Sequence, residues 1–423
     1  MLTSCFVAGL IVVQTVWAGE TRRVSISSSG AEANGFFSTH PSISANGRFV
    51  AFASLANNLV AGDTNSNPDI FVHDNLKGKT EIVSISSNGI IGNNGAGWPS
   101  ISADGRFVTF TSSSDNLVTG DTNTRNDVFI HDRLTHLTEI VSADENGAAG
   151  NGLSFASKIS ADGRYVVYMS DAKLVAFDTN GKRDIYLYDR LSKKNIVISK
   201  NFQGIIGNGF SYLPNISVDG RFIVFTSDAS NLVSNDTNNG LDVFVHDLKT
   251  HTTESVNLNA NGEQTGGIQV GDGVTPAISA NGRFVAFASQ ANNLVTGDAN
   301  NVSDIFVHDR SNHQTSLVSV DSNGNQGNLE SYSPSISADG QYVAFFSNAT
   351  NLVDGDTNQD SDIFVHDRIK KVTERVSIDS NGNQADAAHD FIATETAINA
   401  DGRILAFEKN ADNLVVNDTN QIA

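Results

Sequence analysis

Apolar and polar residues alternate along this chain in short runs, and the same runs keep starting again. Within residues 99–112, Ser100-Ile101-Ser102 reads as a short strand and Asp104-Gly105 as a two-residue hairpin turn. Phe107-Val108-Thr109-Phe110-Thr111 reads as a second strand, rich in aromatic and β-branched residues. A long polar loop runs through Asn116-Leu117-Val118 and Asp121-Thr122-Asn123. Asp127-Val128-Phe129-Ile130-His131-Asp132 then gives a third strand, and Glu139-Ile140-Val141-Ser142 a fourth. No segment keeps a 3.6-residue apolar period over two turns, so the pattern predicts almost no helix.

This unit recurs. Pro-Ser-Ile-Ser-Ala-Asn-Gly-Arg-Phe-Val-Ala-Phe-Ala-Ser at 41–54 returns near 99, 158, 214, 276, 334 and 396. Its marker glycines, Gly47, Gly105, Gly163, Gly220, Gly282, Gly340 and Gly402, are spaced by 58, 58, 57, 62, 58 and 62 residues. Four short antiparallel strands repeated radially predict a β-propeller, since the rungs of a β-solenoid are far shorter. At the N-terminus Arg23-Val24-Ser25-Ile26-Ser27 carries the fourth-strand pattern with nothing before it. At the C-terminus 396–399 and 403–407 carry only the first two strands of a unit. The expectation is an all-β, seven-bladed β-propeller of four-stranded antiparallel blades. Its seventh blade is incomplete, lacks a third strand, and is closed by the N-terminal strand. The propeller is one domain, residues 19–423.

The first 18 residues read as a signal peptide, with an apolar run from Phe6 to Trp17 and Val16-Trp17-Ala18 as the cleavage site. This predicts an exported protein (periplasmic, secreted or at the cell surface) with no transmembrane span in the mature chain. The sole cysteine, Cys5, lies in that leader, so disulfides, cysteine zinc sites and a cysteine nucleophile are excluded from the mature chain. A formal charge of −20 argues against nucleic acid and anionic membranes, and permits cations or basic partners. A monomer is expected.

The unit Ile-Ser-Ala-Asp-Gly-Arg-Phe-Val, followed by Asp-Ile-Phe-Val-His-Asp, resembles the WD-like propeller repeat of the bacterial, exported TolB-type superfamily. Asp74, Asp132, Asp189, Asp247, Asp309 and Asp367 stand where related propellers carry the Asp of a Trp-Asp pair. The resemblance implies a rigid scaffold, usually without catalysis. The α/β domain that precedes the TolB propeller is not expected here.

One constellation suggests a metal. Asp-x-Asn-x-x-x-Asp recurs between the second and third strands, as Asp63/Asn65/Asp69, Asp121/Asn123/Asp127, Asp178/Asn180/Asp184, Asp236/Asn238/Asp242, Asp298/Asn300/Asp304 and Asp356/Asn358/Asp362. A seventh, Asp418/Asn420, is cut short. Alternating oxygen side chains on a turning loop suit Ca2+, with carbonyls and water completing the shell. The competing reading is that Asp and Asn cap their own loop in Asx-turns. No other cofactor is implied.

The recurring His73, His131, His246, His308 and His366 read as packing residues, because Tyr188 replaces one of them. Arg48, Arg106, Arg164, Arg221, Arg283 and Arg403 should pair with nearby carboxylates such as the Asp that ends the third strand. Asn58-Leu59-Val60 and its copies read as pins for the long loop. No Gly-x-Ser-x-Gly, His-Glu-x-x-His, P-loop or dinucleotide fingerprint is present. A catalytic site should break the repeat symmetry, and the sequence shows no such cluster. The repeats differ most at 143–157, 200–213, 258–275, 321–333 and 379–395. The pattern therefore predicts a non-catalytic scaffold binding a protein or glycan through an acidic loop face. The alternative is a carbohydrate-active enzyme, a lyase or hydrolase, with its site on that face.

Overall fold

A computed structural model describes residues 10–15, 19–35, 37–234, 236, 238, 240–268, 274–386, 395–416 and 418. Six stretches, 38–82, 96–140, 154–197, 211–255, 277–317 and 331–375, each fold into an antiparallel sheet of four strands paired in chain order. The chain thus builds six blades from unbroken sequence, not the seven expected. The other described strands form a sheet of mixed origin, ordered Glu20–Arg23, Leu10–Thr15, Ile404–Lys409, Thr396–Ile398.

That closing sheet corrects the reading of the ends. It is not incomplete, because Leu10–Thr15 supplies the missing third strand, with Leu10 opposite Lys409 and Thr15 opposite Ile404. The N-terminal fourth strand is Glu20–Arg23 rather than 23–27, and it pairs antiparallel with Leu10–Thr15. An apolar run ahead of a polar stretch satisfies a leader rule and a strand rule alike. Of the expected leader, residues 1–9 and 16–18 lie outside the described residues.

Each blade is held by one stacked aromatic pair from its two central strands, such as Phe52 on Phe71 at 5.9 Å and Phe110 on Phe129 at 5.8 Å. In the third blade the pair is Tyr168 and Tyr186. These rings are fully buried, each contributing roughly 1.5–3 kcal/mol. The apolar clusters lie between blades. Ala51 and Val72 of one blade share a cluster with Val108 and Phe110 of the next.

The recurring hairpin turn is a latch between blades. Gly105 sits at φ +75°, and a Cβ there would fall 2.1 Å from the Phe49 ring of the preceding blade. Gly163 meets Phe107, Gly282 meets Phe222 and Gly340 meets Phe284 in the same way. Gly47 of the first blade meets Ile404 of the closing sheet. Backbone bonds run alongside: Ala45 N–H donates to the Ala103 carbonyl, Ala103 to Ala161, Ala338 to Ala400, and Ala400 back to Ala45. Arg106 then grips Asp132 with two bonds of 2.8 and 2.7 Å while lying over the Phe107 ring. Gln341 replaces the arginine in the sixth blade and still reaches Asp367.

The histidines also tie blades together. His131 Nδ1 lies 2.8 Å from Thr138 Oγ1, and that hydroxyl donates to the Ile85 carbonyl of the preceding connection. The hydroxyl has one proton, so the imidazole Nδ1–H is the donor to it. His73, His246, His308 and His366 make the same contact with Thr80, Thr253, Thr315 and Thr373. Where Tyr188 replaces histidine, Asn195 replaces threonine and donates to Val141 and Ala143. The pin leucines Leu59, Leu117, Leu232, Leu294, Leu352 and Leu414 are buried.

Two outcomes follow from the latch and the relay. Gly105→Ala must place a methyl at positive φ against Phe49, and should lower unfolding free energy by about 2–4 kcal/mol; an unchanged urea midpoint would sink the latch. Burial pushes the His131 imidazole down to about 4. Its contribution is therefore complete above the unfolded value near 6.5 and is lost as pH falls through about 4. His131→Gln keeps a donor but cannot protonate. Its stability deficit relative to the parent should shrink between pH 6.5 and 4 in denaturant melts.

Candidate functional site

The innermost strands carry a β-bulge near their start, seen as register shifts between Thr39 and Ser42, Gly97 and Ser100, Phe155 and Lys158, Tyr212 and Asn215, and Tyr332 and Ser335. The bulged residue is left-handed without being glycine: His40 at φ 55°, Trp98 at 49°, Ala156 at 53°, Leu213 at 49° and Ser333 at 55°. Such conformations cost of order 1–3 kcal/mol each and cluster where a side chain must be aimed. Here the aim is the central channel. His40, Trp98, Ala156, Leu213, Thr275 and Glu395 line one cavity together with Lys158. Ser333 lines the adjoining one.

These residues all stand seven places before a marker glycine, so they are one position of the repeat. Around the channel that position reads His, Trp, Ala, Leu, Thr, Ser, Glu, with no type used twice. The repeat symmetry is broken at its axis.

A continuous aromatic and cationic stripe leaves this mouth. The His40 ring meets Trp98 edge-on at 5.5 Å, and Trp98 lies 6.1 Å from Phe155. The Arg183 guanidinium lies 4.7 Å over Phe155 and 5.7 Å over Tyr212, fixed by two 2.9 Å bonds to Asp171. Tyr212 stacks on Phe210, and the Lys182 ammonium lies 4.5 Å over that ring. Arg183 directly precedes the third strand, where other repeats carry Pro68, Asn126, Leu241, Ser303 and Ser361. Across the channel Lys158 reaches Glu395 at 3.4 Å, joining the third blade to the closing sheet on the far side. His40 Nε2 is buried and bonds to no described group. Its backbone N–H donates to Glu408, a carboxylate fully buried where other repeats hold Ala53, Thr111, Met169, Thr226, Ala288 and Phe346.

Sequence reasoning missed this stripe, although Phe155, Tyr212, Leu213 and Glu395 fall within the variable connections it singled out. The signal was present in the column seven residues before each glycine. Reading each repeat along its length hides a column that only the ring assembles.

The Asp-x-Asn-x-x-x-Asp loops fold as linked turns. Asn65 Nδ2 donates to Asp69 at 2.9 Å and to the Gly92 carbonyl, while its Oδ1 accepts from Asn67 N–H. Asn123 and Asn180 do the same towards Asp127 and Asp184. Asn300 and Asn358 donate to the Gly327 and Ala385 carbonyls, and Asn238 to Asp242. The second Asp also accepts from the connection, as Ser84 to Asp69 at 2.5 Å and Ser142 to Asp127 at 2.6 Å. The asparagines are thus engaged within the loop, and the paired carboxylates remain as oxygen donors. Among the described residues no group of three or more His, Cys, Asp or Glu is placed to hold a metal. Asn420 lies outside the described residues.

Burial pushes the second carboxylates up: Asp69, Asp127 and Asp242 to about 6 and Asp184 to about 7, against the hydrogen bonds that favour ionisation. A raised carboxyl contributes fully below its unfolded value near 4, and that contribution is lost as pH rises through the folded value. Asp184→Asn cannot ionise. Relative to the parent its stability should improve steadily from pH 4 to pH 8 in urea melts. A difference independent of pH would show that Asp184 ionises as an ordinary surface carboxylate.

No protein-family model matches the sequence, and no curated protein is similar to it. The solved structures share its fold. The propeller domain of the Trilobed protease from Pyrococcus furiosus is 11% identical, with a TM-score of 0.51 over 92% of this chain and 99% of that one. An oligogalacturonate lyase in complex with manganese is 10% identical, with a TM-score of 0.51 over 96% and 97%. TolB from Acinetobacter baumannii is 16% identical over 73% of this chain, with a TM-score of 0.42, and the chain spans 62% of its length. Among the described residues no helix is long and apolar enough to cross a membrane. The chain is a β-propeller of four-stranded antiparallel blades.

Proposed function

We propose that this protein is a non-catalytic scaffold that binds a glycan at the channel mouth. The observation that carries the reading is the axial ring of unlike residues in an otherwise constant repeat. A framework that repeats its latches and uses seven unlike residues at the one position facing the axis presents a single asymmetric surface. Half-buried aromatic rings beside fixed polar groups suit a sugar, whose C–H faces stack while its hydroxyls hydrogen-bond. Trp98, Phe155 and Tyr212 offer the faces. Arg183, Lys158 and Glu395 offer the polar groups, so the mouth is mixed in charge rather than uniformly acidic.

A second reading has one observation in its favour. His40, with an unpartnered Nε2, shares its cavity with Glu395 and Lys158. An imidazole and a carboxylate at one mouth are the groups a carbohydrate-active enzyme uses for proton transfer.

Trp98 is one of only two tryptophans, the other being Trp17, so its fluorescence reports directly on the mouth. Titration with neutral and uronate-containing oligosaccharides should shift its emission saturably. Arg183→Ala, or Trp98→Ala read by calorimetry, should weaken binding about threefold to thirtyfold, in line with the roughly 0.5–2 kcal/mol of a stacking or cation–π contact. No response to any oligosaccharide, or undiminished binding in both variants, would overturn the glycan reading. Product formation that is lost in Glu395→Gln while binding is kept would establish the enzyme instead.

A further inference from the structure

The paired carboxylates of the loops meet different bridging or cationic groups from repeat to repeat, and in the first blade no such group among the described residues. In the fifth blade Gln326 Nε2 donates to Asp298 at 2.7 Å and to Asp304 at 2.8 Å, bridging the pair. In the sixth, Arg375 Nη1 lies 3.4 Å from Asp356 and 3.3 Å from Asp362, and Gln384 adds a bond to Asp356. In the closing sheet Arg23 pairs with Asp418. In the third blade the Tyr186 hydroxyl donates to Asp178. In the fifth and sixth blades one donor thus touches both carboxylates, and the pair there encloses a single small space.

The residues that fill this space come from fixed positions. Gln326 and Gln384 occupy the bridge position of the connecting hairpin, opposite Val320 and Ile378. The first blade has Ile91 there. Arg375 ends the outer strand, where the first blade has Ile82. Tyr186 is matched by Phe71. At all three positions the first blade has an apolar residue that can neither donate nor neutralise. Asp69 is fully buried and Asp63 only 6% exposed, and Asp63 Oδ1 is a buried oxygen with no hydrogen-bond partner among the described residues. A buried, unpartnered carboxylate oxygen beside a second carboxylate is costly unless a cation joins it. The flanking Gly62 and Thr64 are exposed, so the pair can be reached from solvent.

We propose that Asp63 and Asp69 hold a Ca2+ ion in the space that Gln326 and Arg375 fill in the fifth and sixth blades. Two carboxylates are hard oxygen donors, and loop carbonyls and water complete the shell. This inference is independent of the glycan reading. With only two carboxylates the affinity belongs on the order of 10⁻⁴–10⁻³ M, the range of extracellular modules.

The chain supplies its own test. Ile91→Gln installs the side chain that bridges the fifth blade. Calorimetry with CaCl2 at pH 8 should show Ile91→Gln binding one equivalent fewer than the parent, with its fold intact by circular dichroism. Asp63→Asn should lose the same equivalent. The reverse change, Gln326→Ala, should open the Asp298–Asp304 pair and gain one. No Ca2+ binding by the parent at millimolar concentration overturns the proposal. So does an unchanged stoichiometry in folded Ile91→Gln and Asp63→Asn.

Discussion

The structure depends on a glycine that leans on its neighbour. Each hairpin turn lacks a Cβ where the preceding blade places an aromatic ring, or Ile404 in the closing sheet. The contact lies between blades rather than within one, so no blade is complete alone. It also has a direction: every blade accepts the turn of the next. The Ala400-to-Ala45 bond continues that direction through the closing sheet into the first blade. Stacked aromatic pairs give each sheet its core. The turns decide that sheets become a ring and not a heap.

Much of this was legible because it repeats. The strand periods, the Asp-Gly turns, the leucine pins and the Arg48–Asp74 type of pairing follow from local pattern and recur in register. The exceptions are instructive. The apolar stretch around Leu10–Thr15 reads as a leader and carries no mark of a strand partner, yet the structure pairs it with Ile404–Lys409. Counting repeats along the chain could not divide six unbroken blades from a sheet assembled from both ends. The channel stripe failed for a related reason. His40, Trp98 and Glu395 are far apart in sequence and become neighbours only when the ring brings one column to the axis. Nothing in a linear reading marks that column as inward-facing, since bulges are set by φ values that sequence shows only weakly.

Constancy and variation are thus divided between the two ends of each blade. At the glycine turns between first and second strands the residues barely change, because each turn must fit the ring beside it. At the opposite end the same loop geometry tolerates Tyr186, Gln326, Arg375 or an apolar Ile91 beside equivalent carboxylates. Each loop there is tied to the connections on both its sides, as Asn65 to Gly92 and Asn58 to Glu32, by bonds that the variable side chains do not make. That tolerance lets one scaffold hold an asymmetric mouth and unlike carboxylate pairs without weakening its latches.

Closure also sets a time order. The six unbroken blades pair residues close in sequence, whereas Leu10 finds its partner at Lys409, across almost the whole chain. Loop-closure entropy must be met before such a contact returns anything, and formation slows accordingly. On a ribosome the first segment waits until the last strand has emerged. Until then it offers an unpaired strand edge that another chain could join. The segment that finishes the ring is the one longest exposed to misassembly.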